Sequence, residues 1–186
     1  MNIEDLKLIW QDVETAFNDE RINSERALQC VLYQSMRLRL SNSIVILVEP
    51  HFNNCRPDIV AVNKESKIIE CIMELKCAPH WWHSAKSVAT DFDKLLGFND
   101  FLGKKVEFDM FGPKRIFDSK KNQWIGGRPQ YLYDNDTLLV FADIVNKDSE
   151  VALRNTIKHE VSKLPNFVLL IGATDFESKK AYFSVQ

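Results

Sequence analysis

Apolar residues recur at helical spacing from the start of the chain. Ile3, Leu6, Ile9, Trp10, Val13 and Phe17 share one face of a helix predicted over residues 2–18. A second helix follows, capped by Asn23 or Ser24 and running from Arg26 through Leu40, with Ala27, Leu28, Val31, Leu32, Ser35 and Leu38 on its apolar face. The pattern then changes. SIVILVEP (43–50) is a short apolar strand, PDIVAV (57–62) a second and KIIECIMELK (67–76) a third. Residues 63–66 make the turn between the last two, which predicts a hairpin. Residues 83–102 return to helical spacing, with Ala85, Val88, Phe92, Leu95, Leu96 and Leu102 near one side. After a polar stretch come strand TLLVFADIV, helix SEVALRNTIKHEVSKL and strands NFVLLIGATD and AYFSV. The order α, α, β, β, β, α, β, α, β, β predicts an α/β domain, a mixed sheet with helices on both faces.

A chain of 186 residues suits a single domain over 1–186, and 45% hydrophobic content supplies its core. No apolar run approaches the ~20 residues of a membrane span. The start, MNIEDLKLIWQDVE, lacks the apolar region of a signal peptide. Cys30, Cys55, Cys71 and Cys77 are scattered and form no CxxC pair, so the expectation is a reduced, cytoplasmic chain without a membrane partner.

The net charge of −2 hides an asymmetry. Residues 103–128 carry seven bases and three acids. Lys104, Lys105, Lys114, Arg115, Lys120, Lys121 and Arg128 alternate there with Phe108, Phe111, Phe117 and Trp124. Bases among aromatics and glycines suit contact with phosphates, which makes Lys104, Lys105, Lys120 and Lys121 candidate nucleic-acid contacts. The plainer reading is a solvated insertion with its aromatics tucked beneath.

Strand alternation locates the chemistry. Ile72, Glu74 and Lys76 share one face of their strand, and Asp58, Val60 and Val62 share a face of theirs. Pairing the two strands brings Asp58 beside Glu74 and Lys76. Such charges at the end of an apolar strand pair are costly unless they serve one another or a cation. A divalent ion relieves the repulsion of two adjacent carboxylates, and Mg²⁺ suits an oxygen-rich, partly hydrated site. A lysine there can orient a water or stabilise charge on a phosphate.

Arg56-Pro57-Asp58-Ile59-Val60 followed by Met73-Glu74-Leu75-Lys76 resembles the PD-(D/E)XK nuclease superfamily. The resemblance implies a restriction-endonuclease-like fold with an α-β-β-β-α-β core, which residues 24–145 match in order, leaving an α-β-β extension from about 146 to 186. It implies a hydrolase acting on phosphodiester bonds, with DNA the favoured nucleic acid. It implies Mg²⁺ (or Mn²⁺) held by Asp58 and Glu74, with Lys76 positioning the attacking water. Glu25, in the helix before the first strand, matches an acid that members often add, and Glu49 matches a further metal-binding acid on the first strand. Asp91 and Lys94 of TDFDKLLGF match an Asp-x-x-Lys-Leu stretch, although on charge pattern alone they read as a solvated helix face. A homodimer follows from the resemblance alone.

Other readings compete. A surface hairpin with a Glu–Lys pair would carry the same residues. Glu25 could simply complement the helix dipole, and Glu49 could be a surface acid at a strand end. Cys77, His80 and His83 have a spacing that suggests zinc, but only three ligands are local. Trp81 and Trp82 suit base stacking, a lid or a protein surface. No GxSxG elbow, Walker loop or GxGxxG is present. The functional alternative is a nuclease-like domain that no longer cuts and instead binds nucleic acid or a protein.

Overall fold

The computed structural model describes residues 1–51, 55–78, 85–108, 116–125, 129–161, 164, 166–175 and 180–186. Helix α1 (Ile3–Asn18) opens with a capping box in which Asn2 and Asp5 each accept the other's backbone N–H. Helix α2 (Glu25–Arg39) is capped by Ser24, whose hydroxyl accepts from the Ala27 N–H. Of the two predicted caps the chain uses Ser24, so Glu25 falls at the first helical position.

Strands β1 (Ile44–Val48), β2 (Ile59–Asn63) and β3 (Ile68–Ala78) run antiparallel in turn. Helix α3 (Ala85–Phe98) and one 3-10 turn (Asn99–Phe101) follow. Four strands of three residues come next: β4 (Lys105–Glu107), β5 (Ile116–Asp118), β6 (Gln123–Ile125) and β7 (Gln130–Leu132). Strand β8 (Leu138–Asn146), helix α4 (Lys147–Val161), strand β9 (Phe167–Asp175) and strand β10 (Lys180–Val185) complete the chain. The main sheet has the order β1-β2-β3-β8-β9-β10. Its two centre pairs, β3 with β8 and β8 with β9, are parallel, and the outer pairs are antiparallel. This is an α/β fold built on a mixed open sheet.

Helices α1 and α2 cover one face over Ile59, Met73, Leu75, Val140 and Leu170, and α3 and α4 cover the other over Val60, Ile72, Phe141 and Leu169. Burial from both sides explains why β8 and β9 read as unbroken apolar runs rather than alternating ones. Strand β9 pairs with β8 along its length, and α1 packs on β9 and β10.

Two features were absent from the predicted pattern. Glu70 is an extra residue in β3: Ala61 pairs with Cys71 but Val62 with Ile69. Ile69 and Ile72, three apart, therefore face the same layer. The basic segment also contains structure. Strand β7 joins the start of β3 and pairs with β4, while β5 and β6 form a two-stranded sheet of their own. Among the described residues no helix is long and apolar enough to cross a membrane.

Candidate functional site

Asp58 sits just before β2 and is pinned through its backbone. Its N–H donates to the Met73 carbonyl at 3.1 Å, and its carbonyl accepts from the Glu49 N–H at 3.0 Å and from Gln29 Nε2 at 3.1 Å. Its side-chain Oδ2 accepts from the Leu75 N–H at 2.6 Å. The neighbouring pair Ile59–Met73 is in register, so Asp58 stands across from Glu74, on the face that carries Val60 and Ile72.

Glu74 is 2% exposed, and its Oε1 is buried with no hydrogen-bond partner among the described residues. Its Oε2 lies 3.5 Å from Lys94 Nζ. Burial first, then the charge of Asp58, push the Glu74 carboxyl up to about 8. Burial also raises the Asp58 carboxyl, against the pull of the Leu75 hydrogen bond. The two carboxyls are adjacent, poorly solvated and mutually repelling.

Lys76 lies on the same side. Its Nζ is 3.3 Å from Glu25 Oε2, at the start of α2, and 2.9 Å from Asp91 Oδ2, on α3. Burial alone would lower the Lys76 ammonium, but the Asp91 hydrogen bond and the charges of Glu25 and Asp91 outweigh it and hold it above its usual range. The structure thus joins Asp58, Glu74, Lys76 and Glu25 in one cluster and adds two further residues. Asp91 is 6% exposed, and its Oδ1 lies 2.6 Å from Lys94 Nζ. The charge pattern assigned Asp91 and Lys94 to a solvated face. That assignment fails for Asp91 because Phe92, Leu95 and Phe98 turn α3 onto the sheet and carry this neighbour inward, while Lys94 stays partly exposed. Gln29 escaped the sequence reading. The signal was its place one turn after Glu25, on the same side of α2.

Glu49 touches the cluster through its backbone N–H, which bonds the Asp58 carbonyl. Glu49 follows β1 with a left-handed backbone (φ 46°), and its exposed carboxylate makes no hydrogen bond or ion pair with a described residue. Lys104, Lys105, Lys120 and Lys121 are all exposed. Lys105 pairs with Leu132, which itself pairs with Ile68, so Lys104 and Lys105 flank the start of β3, at the opposite end from Glu74 and Lys76. Lys120 and Lys121 sit in the turn between β5 and β6, where Asp118 Oδ1 accepts from both backbone N–H groups. His80, Trp81, Trp82, His83, Phe111, Lys114, Arg115 and Arg128 lie outside the described residues. Burial pushes the Cys77 thiol up to about 12, with the charges of Asp143 and Glu25 adding to it, so at neutral pH it is a thiol and not a thiolate.

Among the described residues no three His, Cys, Asp or Glu side chains are arranged to hold a metal ion. Comparison of the chain with known families, curated proteins and solved structures gave no match.

Proposed function

We propose that this chain is a metal-dependent nuclease of the PD-(D/E)XK type, hydrolysing phosphodiester bonds, with DNA the favoured substrate and a restriction-endonuclease-like fold. The observation that carries the reading is the juxtaposition of Asp58, Glu74 and Lys76 on one sheet face, with Glu74 Oε1 buried and lacking a donor among the described residues. The order α2, β1, β2, β3, α3, β8 also supports it, with the short strands β4 to β7 as an insertion.

The donor set fits Mg²⁺ or Mn²⁺. Mg²⁺ is commonly held by one or two carboxylates, its remaining positions going to water and phosphate oxygens. A closed protein cage of three or more ligands is therefore not required. When bound, the ion would polarise the phosphate and acidify a water. Asp58 is preset by four hydrogen bonds to Leu75, Met73, Glu49 and Gln29. Glu74 presents a carboxyl that burial, and then the charge of Asp58, hold protonated more readily than usual, so an arriving cation would displace a proton there. Lys76, reaching in beside them, orients the water that attacks phosphorus or meets the charge developing on the phosphate as the P–O bond breaks. Glu25 holds Lys76 from the other side.

A second reading, a nuclease-like domain that binds without cutting, is favoured by one observation: both lysines are already engaged by carboxylates. One experiment separates the two. Purified protein is incubated with plasmid, single-stranded DNA and RNA, with Mg²⁺, with Mn²⁺ and with chelator. Cleavage should need the metal, and Lys76→Ala should lower it by about a hundredfold or more while nucleic-acid affinity persists. Binding without cleavage under every condition supports the second reading. A Lys76→Ala protein that cuts as fast as the parent defeats the first.

A further inference from the structure

We propose, on the nuclease reading above, that Asp91 is a positioning residue whose two carboxylate oxygens hold Lys76 and Lys94 as a fixed pair and thereby aim Lys76 at the reacting phosphate. A carboxylate buried on a helix is costly unless it is paired. Asp91 is 6% exposed, whereas Asp93, two residues on, is exposed. Each Asp91 oxygen has its own lysine: Oδ2 is 2.9 Å from Lys76 Nζ and Oδ1 is 2.6 Å from Lys94 Nζ. Burial works against the charge on Asp91, but the hydrogen bonds from Lys94 and Lys76 prevail and hold it ionised.

The competing partner of Lys76 is Glu25. That contact is longer, at 3.3 Å, and the Glu25 side chain is 44% exposed against 9% for Asp91, so solvent weakens it more. Lys94 extends the chain to Glu74 Oε2 at 3.5 Å. Contacts therefore run without a break from Glu25 through Lys76, Asp91 and Lys94 to Glu74, and Asp91 is the one described residue that touches both lysines. A lysine ammonium on its four-carbon stem has no preferred position of its own. Fixing it before substrate arrives removes an ordering cost from the reaction, which is where the rate advantage arises.

The test has two arms. In the metal-free protein, labelled lysine ammonium groups are followed by nuclear magnetic resonance. Lys76 Nζ should be ordered and slow to exchange, in contrast to exposed Lys120, and in Asp91→Asn it should become as mobile as Lys120. In the second arm, single-turnover cleavage of saturating duplex DNA with Mg²⁺ should slow by about a hundredfold in Asp91→Asn, with DNA affinity within about twofold of the parent. A Lys76 ammonium as mobile as that of Lys120 in the parent overturns the proposal, and needs no variant to fold. So does a folded Asp91→Asn protein that cuts at the parent rate. A parent protein that cuts nothing sinks the nuclease reading, while the ammonium measurement still decides whether Asp91 holds the lysines.

Discussion

Glu74 makes the metal-free protein sensitive to pH in a definite direction. A carboxyl in the unfolded chain gives up its proton near about 4.3, whereas burial and Asp58 hold the folded Glu74 carboxyl up to about 8. Across that window the folded protein keeps a proton that the unfolded chain has lost, so stability falls as pH rises, and the full cost is present above the folded value. Asp58, also raised, acts with the same sign. Glu74→Gln removes the main part of this dependence. Its melting temperature relative to the parent should rise between about pH 5 and about pH 9 in chelator, by several degrees for a cost of a few kcal/mol. A gap that is flat with pH would show that Glu74 is ionised throughout. The residue scale was only partly open to sequence. Period-two alternation places Glu74 and Lys76 on one face, and pairing adds Asp58. Whether a charged helix residue such as Asp91 points outward or inward depends on the rotation of α3 over the sheet, which Phe92, Leu95 and Phe98 set together.

At the scale of elements, β9 and β10 are fastened to α1 at one tight place. Gly172 faces Phe183 in the strand register, and a Cβ added there would lie 2.8 Å from the ring. The ring cannot easily withdraw, because it packs against Trp10 and Phe17 at centroid distances of 5.4 and 5.8 Å. Gly172→Ala should therefore cost about 1–3 kcal/mol, the range of core overpacking. Denaturant melts with unchanged slope would measure it, and an unaltered midpoint would show that the ring has room. Elements with long apolar runs, β8 and β9, and helices with clear apolar faces, α1 and α2, were legible in the chain. Strands β4 to β7 were not. Three residues cannot show an alternation, and β4 and β7 owe their existence to pairing partners far along the chain, as Leu132 does to Ile68. The bulge at Glu70 was hidden for the same reason, since it exists only relative to β2.

For the whole molecule, the separation between the site and the basic strands has a measurable effect. From Ile68, beside β7 and β4, to Lys76 the strand covers roughly 25 Å at ~3.3 Å per residue. That is about seven steps along a duplex at ~3.4 Å per phosphate of one strand. If Lys104 and Lys105 contact phosphates, they do so on a longer duplex whose other part lies over the site. Lys104→Ala with Lys105→Ala should lower the salt slope by about 0.9 for each phosphate left unneutralised on a duplex of about 20 base pairs, and leave binding at the site of one of about 5 unchanged. The single-turnover rate at saturation should not move. Equal losses on both lengths would place these lysines at the site, and no loss on either would make them solvated surface. The bulge in β3 bears on a different property, the tolerance of this strand to changes in length. Glu70 is supernumerary: without it, Ile69 and Cys71 become neighbours that point to opposite faces, as they already do, and Glu74 and Lys76 keep their side. Loss of Ile72 instead would turn either the site or the start of the strand over. A one-residue deletion at Glu70 would thus leave the carboxylate four positions on undisturbed, at the expense of the contacts Glu70 makes with the Met1 ammonium and Asn63.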